Sequence, residues 1–357
     1  MNKTNLKDIV VVEGMAIDKS EDESSKLELT VQTLNVAKNA SNGEAPSGNM
    51  TLNISGNGNT IVDAAALMSK KLSKNLFYGQ TKLIVFSEEM AKDGLADDFD
   101  YFLRSSHARS DLAVCISADK SKYILESNEN DSRVPSENLL YLMKNGELAG
   151  VSAYVTTSQL LNQFEDKVAD CYLPVLKPDK DNKNVQTQGI AVFNGDKLSY
   201  ILNDDETMGF LLISNLVHKC TLEFDDAQFG KVGVEISNIK VKNAADVKNS
   251  NIVFSTDLSA SLIINEVEKG SVTKLDSRDE ENICHEAEQY VKKLCSDSFY
   301  ACQNAESDCF RVGEYTAKDL PETYSTCEKD WKSYYSSADY FSSVKMDLKK
   351  LSENNQQ

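Results

Sequence analysis

Residues 284–309, CHEAEQYVKKLCSDSFYACQNAESDC, hold four of the chain's eight cysteines, side chains that could bind a metal, form disulfides or carry redox chemistry. The gaps from Cys284 to Cys295, Cys302 and Cys309 are eleven, seven and seven residues. On a helix turning about 100° per residue, the four fall within a stripe about 40° wide. Ala287, Val291, Leu294 and Ala305 lie on or beside that stripe, whereas Glu286, Lys293, Asp297 and Asn304 lie opposite. The segment therefore reads as one amphipathic helix with its cysteines on the apolar face. Residues seven apart on a helix are about 10 Å apart along its axis, and a disulfide needs Cα atoms within about 7 Å, so along one helix the four cannot bridge one another. Zinc ligands come as close pairs such as C-x₂₋₄-C, and the chain has none. Cys115, Cys171, Cys220 and Cys327 are scattered. Two readings stay open: a row of small buried hydrophobes, or one stripe thiol paired with a distant partner such as Cys327.

Other constellations are thinner. SGNGNT (55–60) places Gly-x-Gly between a strand and a helix, as a phosphate loop would, but Ile61 stands where the third small residue belongs and no Walker lysine follows. A plain turn with a helix cap fits better. The three histidines, His107, His218 and His285, are separate, and His285 beside Cys284 points elsewhere on a helix, so neither activates the other. Asp97-Asp98 and Asp204-Asp205 sit where helices start, positions in which the helix dipole favours acid. Arg104 and Arg109 in YFLRSSHARSDL call for an ordered ion pair or an anion or partner contact. No motif assembles an active site, and none calls for a cofactor or a metal.

Composition narrows the class. The 357 residues are 41% hydrophobic and 26% charged, values of a globular protein long enough for two or three domains. Thirty-eight basic against 56 acidic residues leave a net charge of −18 without a basic cluster, which argues against nucleic acid and against electrostatic adhesion to an anionic membrane. No apolar run is long enough to span a bilayer.

The elements that must position these residues follow from periodicity. Strands are predicted over 8–18 and 26–36, as an antiparallel pair, then over 50–55, 82–87, 112–118 and 171–178. Thr60, with Asp63 three residues on, caps a helix over 61–76, and further helices cover EEMAKDG, LADDFDYFLRSS, SKYILES, SENLLYLMKNG and TTSQLLNQFED. PDKDNKNVQTQ (178–188) reads as a linker, GIAVFNGDKLSYIL (189–202) as a hairpin, and NDDE (203–206) as the acidic start of a helix. Strands over 233–242 and 252–267, the cysteine helix, a Tyr-rich segment around Trp331 and a closing strand complete the chain. The expected fold class is α+β, with mixed and antiparallel sheets flanked by helices in three domains. These are an α/β domain over 1–180, a small hairpin-helix domain over 186–222, and an α+β domain over 223–357 with an antiparallel sheet and a long helix.

Several segments resemble one known family. IVVVEGMAIDKSEDESSKLELTVQTLN carries Gly14, Asp18 and Asn35; GNGNTIVDAAALMSKKLSKNLFYGQTKLIVFSEEMAKDGLADDFDYFLRSSHAR carries Gly58, Thr60, Tyr78, Gly79, Glu88, Glu89, Ala91, Gly94, Arg104 and Arg109. GIAVFNGDKLSYILNDDETMGFLLI and the late Leu320-Pro321 and Trp331 complete the pattern. Together they resemble the Ger(x)C family, the C subunit of the nutrient germinant receptors of endospore-forming bacteria, with Gln80 where that family has His. The resemblance implies a non-enzymatic lipoprotein on the outer face of the spore inner membrane, partnered by the integral membrane A and B subunits and required for the germination response. It makes Gly14, Asp18, Gly79, Glu88, Arg104, Arg109 and Trp331 structural or partner-contact positions. The lipid-modified cysteine of the family would precede the first strand, whereas no cysteine here precedes Cys115, so the tether is expected outside this sequence or in another form. An extracytoplasmic protein that itself binds a small nutrient is the alternative.

Overall fold

The computed structural model describes residues 9–34, 51–72, 75–99, 111–127, 134–166, 168–179 and 184–349. The chain divides into two compact units, residues 1–145 with 153–201, and residues 146–152 with 202–357.

The first unit is built on one mixed sheet. Its strands are β1 (Ile9–Lys19), β2 (Leu27–Leu34), β3 (Thr51–Gly58), β4 (Asn75–Phe77), β5 (Leu83–Ser87), β6 (Ala113–Ser117), β7 (Tyr172–Asp179), β8 (Asn184–Asn194) and β9 (Lys197–Ile201). They run in the order β3-β2-β1-β5-β6-β7-β8-β9, with β4 pairing β1 off that path. β1, β5, β6 and β7 are mutually parallel, and antiparallel strands flank them. The central strands LIVFS and AVCIS are buried at every position, as strands covered on both faces must be. Around the sheet lie α1 (Ile61–Lys71), α2 (Glu88–Asp93), α3 (Ser121–Leu125), α4 (Pro135–Ala149, whose residues from Gly146 group with the second unit) and α5 (Thr157–Glu165).

Three expectations are corrected here. The helix over 61–76 stops at Lys71, and Asn75–Phe77 become a strand instead. β5 covers β1 only along Gly14–Ile17, so the backbone of Ile9–Val11 needs another partner, and β4 supplies it. Nor is 178–188 a linker: Asp179 pairs with Asn184 and Lys177 with Gln186, so β7 and β8 are neighbours in one sheet. Polar side chains along this pair conceal backbone pairing at Lys177–Asp179 with Asn184–Gln186. The separate domain over 186–222 therefore does not form, because its hairpin β8–β9 extends the first sheet while its helix belongs to the second unit.

The second unit has the sheet order β10 (Lys219–Asp226), β11 (Gly230–Lys248), β12 (Asn251–Val267) and β13 (Asp339–Leu348). β10, overlooked in the sequence, alternates buried Cys220, Leu222 and Phe224 with exposed residues. β13 joins parallel to β12, so this sheet is mixed instead of antiparallel. Its helices are α6 (Asp204–Ile213), α7 (Ser277–Asn304), α8 (Val312–Asp319), α9 (Pro321–Cys327) and α10 (Trp331–Ser336). Capping boxes at Asn203/Glu206 and Asp276/Asp279 start α6 and α7. α7 also shields the free edge of β13: Met346 N–H donates to Glu288 Oε1 (2.8 Å), Tyr340 N–H to Tyr300 Oη (3.5 Å), and Cys284 Sγ to Met346 O (3.5 Å). Phe254, Phe299, Phe310 and Tyr340 pack between helices and sheet, with Phe299 and Tyr340 stacked at 4.7 Å.

Glycines set the closest contacts. A Cβ on Gly58 would lie 2.4 Å from Ala64 N, and one on Gly209 would lie 2.0 Å from Leu294 O, so α1 on β3 and α6 on α7 approach to distances only hydrogen permits. Gly209→Ala is expected to lower stability by about 1–3 kcal/mol, with an unchanged denaturant slope, since the methyl meets backbone that cannot yield. Gly233→Ala, where the nearest atom would be 3.6 Å away, is the matched control. A second expectation concerns the thiols. Burial pushes Cys220 and Cys295 up to about 12, whereas Cys284 is only half-buried. A thiol of pKa about 12 is roughly one part in ten thousand thiolate at pH 8. A thiol reagent at that pH should modify Cys284 first and the other seven only after denaturant is added.

Candidate functional site

The motif residues gather in two places, one in each unit. In the first, Asp18 stands at the end of β1, almost wholly buried. Its carboxylate accepts the N–H of Ser121 (2.6 Å) and of Lys122 (3.0 Å), the first two residues of α3. Burial raises its pKa, and the two N–H bonds offset that only in part. Four residues earlier, at a bulge in β1, Gly14 leaves room for α4: a Cβ there would meet Ser136 Oγ at 2.2 Å. That hydroxyl is committed, because Ser136 gives both its N–H (3.0 Å) and its O–H (2.7 Å) to Gln32 Oε1. Gln32, fully buried, donates in turn to Leu125 O (2.6 Å), at the end of α3. One amide thus ties the end of α3 and the start of α4 to β2. Beside it, Lys82 reaches Glu13 (3.0 Å) and Glu137 (3.5 Å).

The other first-unit positions are local fittings. Gly79 lies in the turn closed by Thr81 N–H to Tyr78 O (3.0 Å), against the ring of Phe77. Glu88 opens α2 and pairs with Lys92 at 2.6 Å. Gly94, with φ 118°, lets the chain reach Asp196 in the β8–β9 turn, whose carbonyl accepts Leu95 N–H at 3.0 Å. Arg104, Arg109 and His107 lie outside the described residues.

SGNGNT is a helix start. Thr60 Oγ1 accepts Asp63 N–H (3.1 Å) and Asp63 Oδ2 accepts Asn59 N–H (3.1 Å), so a carboxylate already holds the place a phosphate would take. Gly56 and Gly58 face Met68 and Ala64 of α1 at contact distance. The paired acids resolve similarly: Asp98 is buried against Lys26 at 3.5 Å, and Asp204 and Asp205 lie in the first turn of α6.

In the second unit the gathering residue is Asp308, which the sequence reading passed over. Its carboxylate, 2% exposed, accepts Val312 N–H (2.7 Å), Gly313 N–H (2.9 Å) and the Trp331 indole N–H (2.9 Å). Trp331 is therefore the side chain by which α10 grips the start of α8. Tyr335 O–H donates to Ser307 O (2.9 Å), and Gln303 Nε2 to Tyr335 O and Ala338 O (both 2.8 Å).

The cysteine stripe is core, but not all on one helix. Cys295 and Cys302 are fully buried on α7, and Cys284 is half-buried. α7 ends at Asn304: Glu306 takes a left-handed φ of 55°, Ser307 N–H returns to Cys302 O (3.0 Å), and Cys309 lies beyond the reversal. Cys284 and His285 diverge as expected, the thiol toward β13 and the imidazole to solvent, 3.9 Å from Glu288. None of the eight cysteines is in a disulfide, and among the described residues no three His, Cys, Asp or Glu side chains converge as a metal site.

Two substitutions test this geometry. Asp18→Ala strands two buried N–H groups and should cost about 1–3 kcal/mol. Because the folded pKa of Asp18 lies above its ordinary value, its contribution is complete at low pH and declines as pH rises through the folded pKa. The gap between wild type and Asp18→Ala in urea unfolding should accordingly be wider at pH 4 than at pH 7. Trp331→Phe keeps most of the apolar body but leaves Asp308 one donor short, and is expected to lose about 1.5–3 kcal/mol; a loss no greater than that of Tyr334→Phe, an exposed ring, would show that the indole bond is dispensable.

Comparison with known proteins covers both units. Residues 2–178 match the model described as "Spore germination protein N-terminal domain", and residues 188–351 that described as "Spore germination B3/ GerAC like, C-terminal". The chain is 23% identical to the YfkR protein of Bacillus subtilis (strain 168) over 94% of this chain and 88% of that one. It is also 23% identical to spore germination protein KC of the same organism, over 74% of this chain and 70% of that one. Among solved structures, that of the GerBC protein superposes with a TM-score of 0.60 at 14% identity, covering 94% of this chain and 96% of that one, which shows a shared fold. Family models thus span both units of the structure, and the chain belongs to the GerAC-like spore germination proteins, the C-subunit family of germinant receptors.

Proposed function

We propose that this protein is a non-enzymatic subunit of a nutrient germinant receptor complex, held by a lipid tether at the outer face of the spore inner membrane and required for the germination response. Its partners in this reading are the integral membrane A and B subunits. The observation that carries it is the pair of family matches over residues 2–178 and 188–351. The use of the motif residues supports it: Gly14, Asp18, Gly58, Gly94 and Trp331 serve helix starts and close packing, as in a protein whose task is to present a surface. No helix among the described residues is long and apolar enough to cross a membrane, so residence at the membrane falls to the tether and the partners. Family-motif positions on the surface, such as Glu88, and the arginines Arg104 and Arg109 are proposed contacts for those partners.

The test is genetic. Spores with an in-frame deletion of this gene, the two partner genes intact, should lose the response to one nutrient class and regain it on complementation; an unchanged response to amino acids, sugars and nucleosides overturns the proposal. Calorimetry on the isolated protein separates the other reading, since binding of such a nutrient tighter than about millimolar would make this chain the sensor itself.

A further inference from the structure

We infer that Cys302 and Cys309 are a dithiol that closes to a disulfide, a modification site that locks the Asp308 clasp. Along a continuous helix the two would stand about 10 Å apart on the axis. The helix stops between them. Glu306 N–H bonds to Gln303 O and Ser307 N–H to Cys302 O (both 3.0 Å), and the left-handed Glu306 turns the chain back over the last turn of α7. The reversal carries Cys309 back beside Cys302, close enough for the two thiols to interact, and both are buried, at 4% and 0% exposure.

The other thiols are placed elsewhere. Cys295 is seven residues back along the same helix, too far to bridge Cys302. Cys327 donates its S–H to Tyr324 O in its own helix (3.5 Å). We therefore pair Cys309 with Cys302, in place of the pairing of a stripe thiol with Cys327 that spacing left open.

The chemistry is thiol–disulfide exchange with a small-molecule or protein disulfide, RSSR. One cysteine, as thiolate, attacks a sulfur of RSSR, breaking its S–S bond and releasing RSH once the sulfur leaving group takes up a proton. The second cysteine, giving up its proton, attacks the mixed disulfide and releases the second RSH. The protein loses two protons and two electrons, and RSSR is reduced to two RSH. Burial in the folded state shields both thiols from a disulfide in solution, so exchange proceeds while the 302–311 reversal is open, during folding or local unfolding. Once formed, the bond fixes the residue after Asp308 to the end of α7, holding the carboxylate beneath Val312, Gly313 and Trp331.

The full-length protein, reduced and then carried through urea unfolding and dilution with oxidised glutathione, is denatured, alkylated and weighed. Six alkylated thiols in place of eight are expected, with fragmentation of the tryptic peptide 294–311 placing the bond between Cys302 and Cys309. The oxidised protein should melt at a higher temperature, and dithiothreitol should abolish the difference. Cys302→Ser and Cys309→Ser should each give seven alkylated thiols. Eight alkylated thiols in the oxidised wild type, or a bond mapped to Cys295 or Cys327, overturns the inference. Mapping on the wild type decides the matter by itself if a serine variant does not refold.

Discussion

A charge taken out of water must be met by donors fixed in place, and in each unit one buried aspartate imposes that requirement on its surroundings. Asp308 shows how far the requirement reaches. Three N–H groups converge on its carboxylate, two from the first turn of α8 and one from an indole 23 residues further on. Hydrogen bonds to a charged group are worth about 1.5–3 kcal/mol each, and losing one partner leaves the charge short in a site closed to water. Trp331 so placed fixes α10; Tyr335 and Gln303 then fix the chain as it enters β13. Asp308, four residues past the end of α7, thus helps set where the chain enters the last strand, which then pairs parallel with β12 along its length.

Asp18 plays the same part with fewer donors and a different balance. Two N–H bonds do not offset its burial, so its pKa sits above the ordinary carboxylate value. The neighbouring work of tying β2 to the ends of α3 and α4 falls to an amide, Gln32, which can both accept and donate without a charge to desolvate. Close packing complements this polar framework: Gly14, Gly58 and Gly209 bring backbone or a hydroxyl to where a methyl group would stand, and so fix helix positions that hydrogen bonds alone would leave loose.

What could be read in advance was what is settled locally. Thr60 with Asp63, and Asn203 with Glu206, announce helix starts because both partners lie within one turn. The alternation of β11 and β12 and the unbroken apolar runs of β5 and β6 likewise report their own burial. β4 escaped because its only warrant is the unpaired stretch Ile9–Val11, some 65 residues earlier in sequence. The pairing of β7 with β8 escaped because polar side chains there say nothing of backbone partners. Cys309 was carried onto α7 by a period that continues past the helix end; the stop is made by Glu306 in a left-handed conformation usually marked by Gly or Asn. Asp308 looked like any other acid in a chain with 56 of them, since its donors are assembled only by the fold.

The fold is shared with the GerBC protein at 14% identity, and interiors in general tolerate exchange where volume and pattern persist. The cysteine stripe illustrates such freedom. Cys295 contributes a small apolar volume against Tyr340 and the aromatic core, a contribution that Ala or Val could supply in kind. Asp308 has no such substitute. An apolar replacement leaves three donors without an acceptor; Asn keeps one acceptor oxygen but turns an N–H₂ toward donors; Glu displaces the carboxylate by a methylene from donors set 2.7–2.9 Å away. Positions that gather backbone donors are thus harder to exchange than positions that fill space.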